Sequence, residues 1–529
     1  MLHLTHSGWT HVGRAYARGH AFDGDCLLDA EALAAHLNGP VDAFGDKVER
    51  LEGEFAAVVV DSVAGTMGAA VDRIRSIPLF YAEHQGDLVL SDDAWWLAEQ
   101  TGSRLAGSAV VAEYLLQGLT VGPRTLAESV RQLQAGERLE QTAETWSTRR
   151  YALYGDGDPI SGDLETAGLA AFETAFERLL ASVGSRPLAV PLSGGLDSRL
   201  VAFMLARAGR RDVLCYTYGR ADSFETQTSR RVAEHLGLPW AFVPYTNARW
   251  HAWFSSDRYQ AYRPYASQLT AIEHEQDWPA LLELLAEGRL SPEAIVVPGH
   301  SGDFLAGSHL PAAAFEPRAS YDPADWVWSK YFRLWPQRGV ATEVREEILG
   351  HIRTAMDLKR PVTTASEATR RFEQYGWQER QAKMIVNSVR AYENHELDWR
   401  VPLWGPALQR FWPNVPLAQR RDKRLYIRLL TRLMGDLMDI PYVAPPVRGV
   451  REKLNRILDL DYARYGMYLG PTPLRAGMAQ RVGRRFQGIH PTLDALVQPV
   501  RHRPLQTLPL NAITAALAVR FAHVERLTG

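Results

Sequence analysis

A run of small and acidic residues follows an apolar stretch near residue 190. The apolar residues 189–192 suit the end of a buried strand, and a Ser-Gly-Gly turn at 193–195 comes next. Small or absent side chains there let successive backbone N–H groups converge on an anion. A helix predicted over 197–208 directs the positive end of its dipole at the same place. The spacing therefore predicts a phosphate-binding turn, in which Asp197 could hold Mg²⁺ and Ser198 could donate a hydrogen bond.

The six letters SGGLDS lack the Gly-Lys-Ser/Thr ending of a Walker A loop. They resemble the pyrophosphate-binding loop of the adenine-nucleotide alpha hydrolases, in the form found in asparagine synthetases. This resemblance implies that ATP is cleaved between its α and β phosphates, that an acid is adenylated, and that a nucleophile then displaces AMP. The alternative is an ordinary glycine-rich turn between a strand and a helix. The nucleotide contacts predicted in this loop are Leu192, Ser193, Gly194, Gly195, Asp197 and Ser198.

Strand and helix patterns alternate after this loop. A buried strand is predicted over 213–219, a helix over 225–237 and a further strand over 240–245. This alternation predicts an α/β domain with a doubly wound parallel sheet, and such sheets bind ligands at the carboxyl ends of their strands. Tyr218 and Gly219, at the end of their strand, are therefore expected beside the nucleotide.

A second glycine-rich segment, GHSGDFLAG at 299–307, also follows an apolar run. It resembles the GEGSDELFGG segment of asparagine synthetases. The resemblance implies that Asp303 and Asp197 hold Mg²⁺ on the pyrophosphate, and two carboxylates suit such an ion. It also implies that Gly299 contacts the nucleotide and that His300 stands where relatives carry glutamate or tyrosine. A histidine with a near-neutral pKa could deprotonate an incoming amine there, or it could only hydrogen-bond substrate or cap the turn.

The segment from Asp398 to Leu403 resembles the Glu-x-Arg-x-Pro-Phe/Leu segment of the same family. Arg400 matches the arginine, and Asp398 replaces a glutamate that supports the proton acceptor in β-lactam-forming relatives. The resemblance therefore predicts that Asp398 orients His300. A purely structural ion pair between Asp398 and Arg400 is the alternative.

A lysine that stabilises charge on the pyrophosphate is expected beyond this segment, because relatives carry one soon after a Leu-Pro pair. Lys453 is the candidate, and Arg448 and Arg451 are its rivals. A solvated basic helix face is the alternative for all three.

The first part of the chain contains short strand-like runs separated by turns. The runs EGEFAAVVVD and VDRIRSIPLFY resemble core strands of the glutamine amidohydrolase domain of asparagine synthetases, which implies an Ntn-hydrolase-like αββα domain. That family's glutaminase uses a cysteine freed as residue one, with its own α-amine as the base. Met1 and Leu2 cannot be such a nucleophile, and Cys26 lies well inside the segment. We therefore predict a degenerate glutaminase that does not hydrolyse glutamine.

Length and composition are typical of a multidomain globular enzyme, with 529 residues and 46% hydrophobic content. We predict a glutaminase-like domain over 1–155, a ligase domain with helical additions over 165–460, and a helical extension over 461–529. Within the ligase domain, helices are predicted near 366–373 and 378–393.

Charge and cysteine content exclude several function classes. The net charge of −2 offers no electrostatic case for nucleic-acid binding, and no apolar run reaches the ~18 residues of a membrane span. The chain start lacks a signal-peptide pattern, and two cysteines favour a reducing cytoplasm. The expected partners are a small-molecule or peptide carboxylate and an amine or ammonia. A homodimer or a biosynthetic partner protein is left open.

Together these motifs predict a cytoplasmic, ATP- and Mg²⁺-dependent ligase that forms an amide bond, releases AMP and has no glutaminase of its own. Relatives without the cysteine include β-lactam synthetases and lasso peptide cyclases, so ring closure within one substrate is an alternative. Other relatives act on natural-product or surface-polysaccharide acids. A non-catalytic regulatory paralogue that only binds nucleotide is a further alternative, against which the intact Asp197 and Asp303 argue.

Overall fold

The computed structural model of the chain describes residues 1–155, 160–334, 337 and 340–443. Its first part contains eleven strands and four helices. The strands are β1 (Leu2–His3), β2 (Thr10–Val12), β3 (Ala15–Asp23), β4 (Cys26–Leu28), β5 (Leu51–Asp61), β6 (Thr66–Val71), β7 (Phe80–His84), β8 (Asp87–Ser91), β9 (Arg131–Gln132), β10 (Glu137–Gln141) and β11 (Trp146–Arg150). The helices are α1 (Ala30–Leu37), α2 (Phe44–Arg50), α3 (Ala94–Gln100) and α4 (Ser108–Gln117).

These strands form two sheets that pack face to face between helices. One sheet has the order β1-β8-β7-β9, and the other has the order β11-β10-β6-β5-β3-β2 with β4 paired to β3. Side chains of β5 alternate between two cores, as the period of a strand requires. Ala56 and Val58 face the other sheet, whereas Ala57 and Val59 pack on α1 and α2. Phe80 of β7 packs on α3 and α4. The layers are therefore αββα, as predicted.

In the second part of the chain, between residues 160 and 443, the described residues form five strands and a series of helices. The strands are β12 (Leu188–Pro191), β13 (Val213–Gly219), β14 (Trp240–Pro244), β15 (Ile295–Val296) and β16 (Asp398–Trp399). The helices are α5 (Leu164–Val183), α6 (Leu196–Arg207), α7 (Phe224–Leu236), α8 (Asn247–Phe254), α9 (Asp257–Ser267), α10 (Trp278–Ala286), α11 (Gly302–Leu305), α12 (Pro323–Tyr331), α13 (Thr342–Ala355), α14 (Ala365–Tyr375), a π-helix (Gly376–Ile385), α15 (Arg390–Glu393), α16 (Pro406–Phe411), α17 (Leu417–Arg420) and α18 (Arg424–Met434).

The five strands form one parallel sheet with the order β14-β13-β12-β15-β16. The chain therefore moves outward in one direction from β12 to β14, and then in the other direction through β15 and β16. This reversal is the topological switch point of a doubly wound sheet, where the carboxyl ends of β12 and β15 open a crevice for ligands. The predicted fold class, an αββα part followed by a doubly wound parallel sheet with helical additions, is confirmed.

One apolar core continues from between the two N-terminal sheets into the second part. Leu139 of β10, Phe172 of α5 and Val190 of β12 all belong to it and are fully buried. The domain limits expected from the sequence stay predictions, and the extension expected over 461–529 lies outside the described residues. None of the described helices is both long and apolar enough to cross a membrane.

A buried carboxylate joins the two parts of the chain. Glu393 of α15 accepts ion pairs from Arg390 at 2.7 Å and from Arg18 of β3 at 2.9 Å. Tyr265 and Trp399 also donate to it, at 2.7 and 3.0 Å. Burial alone would raise the pKa of Glu393, but the two arginines and these donors outweigh it and lower the pKa to about 2. The folded protein therefore holds Glu393 ionised.

We predict that Glu393→Gln destabilises the fold by about 3–5 kcal/mol, because it leaves two buried guanidinium groups without their charge partner. Urea unfolding followed by tryptophan fluorescence measures the loss. Because the pKa of Glu393 is lowered, its contribution should be present near pH 7 and should decline as pH falls from about 4.5 toward 2. Glu396→Gln, at an exposed neighbouring position, is the control and should unfold like the parent protein. Equal stability of the Glu393→Gln protein would contradict this role.

Candidate active site

The turn between β12 and α6 is shaped by its own hydroxyl groups. The backbone N–H of Ser193 donates to Ser198 Oγ at 3.0 Å, and the two serine hydroxyls are also 3.0 Å apart. The N–H of Gly195 donates to Ser193 Oγ at 3.2 Å. Beneath the turn, Thr217 of β13 donates to the carbonyl of Leu192. The predicted phosphate loop is therefore a defined turn at the start of a twelve-residue helix.

Arg199 stabilises this loop through hydrogen bonds to backbone carbonyls. The sequence analysis did not single out this residue. Its buried guanidinium donates to the carbonyl of Gly194 at 3.3 Å. The same group donates to the carbonyls of Leu437 at 3.0 Å and Ile440 at 2.7 Å. Arg199 thus ties the loop to the last described turn of the chain.

Glycines allow the second motif to touch the first. A Cβ atom on Gly299 would lie 2.3 Å from the backbone nitrogen of Ser198, and one on Gly302 would lie 2.5 Å from Cγ of Asp197. Real Cβ atoms do not approach other atoms so closely, so these contacts need glycine. The structure therefore brings the segments at 193–198 and 299–303 together at the switch point.

Asp197 and Asp303 lie close enough to influence each other's charge. Tyr426 of α18 donates to Asp197 Oδ1 at 2.5 Å, and the backbone N–H of Asp303 also donates to this carboxylate. Burial and the charge of Asp303 nevertheless raise the pKa of Asp197 to about 6. A divalent cation between the two groups would relieve this repulsion, so the pair suits a phosphate-bound Mg²⁺.

His309 supports the second carboxylate, with its Nε2 atom 3.1 Å from Asp303 Oδ2 and its Nδ1 atom 3.1 Å from Tyr331 Oη. Burial would raise the pKa of Asp303, but His309 and the positive charge of Lys423 outweigh it and lower the pKa. Lys423 also lowers the pKa of Asp197. The sequence analysis singled out neither Lys423 nor His309.

A cavity of about 410 Å³ opens over the two loops. This size is in the usual range for small-molecule sites. Of the predicted nucleotide contacts, the cavity wall includes Ser193, Gly195, Asp197, Ser198, Tyr218 and Gly299, but not Leu192, Gly194 or Gly219. His300 also lines the cavity, as do Arg380, Met384 and Ser388, which the sequence analysis did not single out.

Tyr218 and the segment 272–277 form another side of this cavity. Asp277 accepts a hydrogen bond from Tyr392 Oη at 2.7 Å and one from Tyr218. The Tyr218 ring stacks on Tyr245 with centroids 5.0 Å apart. Tyr218 is thus held firmly at the end of β13, where the sequence placed it.

His300 differs from the expectation of a near-neutral pKa. Desolvation in the cavity lowers its pKa to about 4, and the charge of His274 adds to this effect, whereas Asp277 and Asp303 oppose it. Both ring nitrogens of His300 are 3.4 Å from Ser388 Oγ. The imidazole is therefore neutral at physiological pH and remains a proton acceptor, though a weak one.

The structure does not bring Asp398 to His300, so the prediction that Asp398 orients this histidine is wrong. Asp398 pairs with Ile295 in the parallel register of β15 and β16, whereas His300 follows the carboxyl end of β15. The Asp398 carboxylate instead forms an exposed ion pair with Arg186. The alternative pairing with Arg400 is not formed either. Lys453 and its rivals Arg448 and Arg451 lie outside the described residues.

Comparison with known proteins gives two family matches along the chain. Residues 11–152 match the model of a glutamine amidotransferase domain, and residues 169–443 match the model of asparagine synthase. The second match covers more than half of the 529 residues. The chain belongs to the asparagine synthase family. The resemblance seen in the sequence is thus confirmed.

One solved structure with some similarity is the NH3-dependent NAD synthetase of Campylobacter jejuni in complex with nitrate. It is 16% identical over 28% of this asparagine synthase family chain and 61% of its own chain, with a TM-score of 0.20. The chain therefore spans less than two thirds of that synthetase, and a similarity this low supports no argument. No curated protein sequence matches the chain.

We predict that Gly299→Ala displaces the phosphate loop, because its methyl group would overlap the backbone of Ser198. Overpacking of this kind costs about 1–3 kcal/mol, and nucleotide affinity should fall with it. Thermal unfolding and titration with Mg²⁺ and α,β-methylene-ATP measure both effects. Gly350→Ala is the matched control, since a Cβ there meets no atom within 4 Å. Unchanged nucleotide binding by Gly299→Ala would contradict the contact.

Proposed function

We propose that this asparagine synthase family protein forms an amide bond between a substrate carboxylate and ammonia or an amine, with cleavage of ATP to AMP and pyrophosphate. The observation that carries the proposal is the shared cavity. Ser193, Asp197, Tyr218 and His300 line it from separate segments of the chain, and the charge of Asp303 acts on Asp197. This is the set of groups that nucleotide binding and acyl transfer require side by side.

The residues at the cavity fit Mg²⁺ and ATP. Within the described ranges, no group of three or more His, Cys, Asp or Glu side chains could hold a metal unaided. Two carboxylates that repel each other suit an ion whose remaining ligands are phosphate oxygens and water. Asp197 and Asp303 would hold the ion, and Mg²⁺ when bound would neutralise phosphate charge. The positive end of the α6 dipole and the charge of Lys423 would attract the phosphates.

In the first chemical step, a carboxylate oxygen of the acid attacks the α-phosphorus of ATP. The bond from this phosphorus to the oxygen bridging to the β-phosphate breaks, and pyrophosphate leaves with the bonding electrons. Lys423, whose charge already acts on both carboxylates, lies where it can offset the negative charge of the leaving group.

In the second step, the nitrogen attacks the activated acyl carbon, and the carbon–oxygen bond to AMP breaks. The attacking nitrogen must lose a proton. We assign its acceptance to His300, whose neutral imidazole lines the cavity. A protonated nitrogen that has already bonded to the acyl carbon is acidic enough for a weak base to serve.

The glutaminase-like part is proposed to have a structural role. The sequence has only two cysteines, and neither suits a nucleophile of this kind. Cys26 is exposed on the short strand β4, and Cys215 is buried in β13 of the other sheet. Ammonia or an amine from solution or from the substrate itself is then the nitrogen donor.

A direct test measures AMP and pyrophosphate over a panel of acids, with hydroxylamine, ammonia and glutamine as nitrogen sources. We expect equal amounts of the two products, no glutamate from glutamine, and a loss of at least about 100-fold in Asp197→Asn. Asp398→Asn is the matched control and should retain activity, because its carboxylate pairs with Arg186 instead. An unchanged rate in Asp197→Asn would refute the assignment. Nucleotide binding without any AMP would favour the regulatory alternative, and consumption of a single substrate without added nitrogen would favour ring closure.

We further predict that His300→Gln slows amide formation more than adenylation, by about 100-fold or more. Because the pKa of His300 is lowered to about 4, the imidazole stays unprotonated at higher pH, and its activity should be lost only as pH falls through about 4. Pre-steady-state measurements of pyrophosphate and amide separate the two steps. Equal loss in both steps, or an acid limb near pH 6.5 that His300→Gln removes, would contradict this role.

A further inference from the structure

Ser301 has a backbone conformation that serine rarely adopts. Its φ angle is +71°, in the left-handed region that favours glycine, and it stands between His300 and the helix α11. A serine at the start of a helix usually accepts a hydrogen bond from an N–H of the first turn, but the Ser301 hydroxyl makes no such bond. The local structure therefore gives no reason for a serine at this position.

A partner far away in the sequence explains the serine. The Ser301 hydroxyl donates a hydrogen bond to Oε1 of Gln381 at 2.7 Å, and the two residues are only 4% and 1% exposed. Among the described residues that line the cavity, neither Ser301 nor Gln381 is present. The bond therefore lies behind the cavity wall, where it can hold the loop but not touch a ligand.

The helical segment that carries Gln381 also reaches the side chain of His300. Gln381 belongs to the π-helix, which a 3₁₀ turn (Val386–Val389) continues without a break. Within that turn, Ser388 donates to the carbonyl of Ile385 at 2.6 Å. Its Oγ atom lies 3.4 Å from both ring nitrogens of His300, which is long for a hydrogen bond. One segment thus contacts the imidazole and also holds the backbone of the residue that follows it.

The two ends of the loop are held to different degrees. After Ser301, the Asp303 carboxylate lies 3.1 Å from His309 Nε2, and the Asp303 carbonyl accepts the N–H of Ser308 at 3.1 Å. Within the described part of the chain, no hydrogen bond to the imidazole of His300 is shorter than 3.4 Å. Loss of the Ser301 hydroxyl should therefore disturb His300 more than Asp303.

We propose that Ser301 and Gln381 are positioning residues, whose hydrogen bond fixes the loop so that His300 faces the reacting nitrogen. This inference rests on the proposed function, since it takes His300 as the proton acceptor of the second step. A displacement of about 1 Å can cost ~100-fold in rate, which is a physical reason to keep a strained serine where glycine would be relaxed.

The variant Ser301→Gly tests this role, because glycine removes the strain and the hydroxyl together. The two effects on stability oppose each other, so the midpoint of thermal unfolding should stay within about 4 °C of the parent value. Amide formation from the acid that yields most AMP, with hydroxylamine as the nucleophile, should slow by about 10-fold or more. Pyrophosphate release and the affinity for α,β-methylene-ATP with Mg²⁺ should change by less than about 3-fold.

A second variant and a control isolate the hydrogen bond from the strain. Gln381→Met removes the acceptor but keeps the strain, and it should also slow amide formation. The double variant should be no slower than the slower single variant, because both changes act through one bond. Gln85→Gly is the matched control, since Gln85 has a φ angle of +54° in an exposed turn between β7 and β8. It relieves a similar strain, and its rates should equal those of the parent.

Hydrogen–deuterium exchange of the full chain gives a readout that needs no substrate. Gln381→Met leaves the sequence of the loop unchanged, so faster exchange of the amides at 300–303 reports the lost bond directly. The same amides in Gln85→Gly should exchange as they do in the parent protein.

The outcomes separate this inference from the proposed function. If the parent protein releases no pyrophosphate with any acid, the proposed function fails, and exchange alone decides whether Gln381 holds the loop. If the parent protein forms the amide and Ser301→Gly does so at the same rate, the inference alone fails. It also fails if both chemical steps slow equally, because the bond then supports the whole site, or if exchange in Gln381→Met is unchanged. Should Ser301→Gly not fold, Gln381→Met takes its place in the comparison of the two steps.

Discussion

Backbone contact between two glycine-rich loops is the constraint on which the site depends. The strand order puts β12 and β15 side by side, so the chain leaves both strands at the same edge of the sheet. Gly299 then lies against the backbone of Ser198, and Gly302 lies against the carboxylate of Asp197. Because Gly299 and Gly302 have no side chains, the two loops approach closely enough for Asp197 and Asp303 to be neighbours, although they are far apart in the sequence. The proposed Mg²⁺ site and the position of His300 both depend on this contact.

The π-helix (Gly376–Ile385) contacts both the second glycine-rich loop and the first part of the chain. Gly376 packs on Phe304 of α11, and Gln381 accepts the Ser301 hydrogen bond, so its inner side follows the second loop. Its outer side carries the fully buried pair of Glu379 and Lys383, at 2.5 Å. Glu379 accepts a hydrogen bond from the N–H of Gly122, in the first part of the chain, and Lys383 donates one to the carbonyl of the same residue. Every described residue that lines the cavity belongs to the second part. The glutaminase-like part therefore braces a wall of the cavity without lining it, which suits a structural role.

Local patterns in the sequence predicted the parts of the fold that depend on local chemistry. The glycine turn, the alternation of strands and helices and the limits of α6 and α7 are of this kind. Strand β3 is different, because Arg18, Gly19 and His20 interrupt any apolar pattern. Arg18 is buried because Glu393 forms an ion pair with it, and His20 is buried because its Nε2 atom lies 3.0 Å from the Glu54 carboxylate. A Cβ on Gly19 would lie 2.1 Å from the Glu54 carbonyl oxygen, so this position needs glycine. Such partners lie far away in the sequence, so no local reading reveals them.

Only those residues of the site that belong to local motifs could be predicted from the sequence. Motif resemblance located Asp197, His300 and Asp303, whose positions follow from the loops themselves. It misplaced Asp398, because the register of β16 against β15 decides which end of the sheet that side chain occupies. The partner Tyr426 depends on how the distant helix α18 packs, which no spacing in the sequence encodes. His309 lies only six residues beyond Asp303, in the turn that follows α11, but it belongs to no motif that the resemblance covers.

The charges of Asp197 and Asp303 explain why this site favours a bound cation. Two carboxylates repel each other at one side, and burial with that repulsion raises the pKa of Asp197 to about 6. A divalent cation between the two carboxylates would remove this repulsion, so part of its binding free energy is already stored in the folded protein.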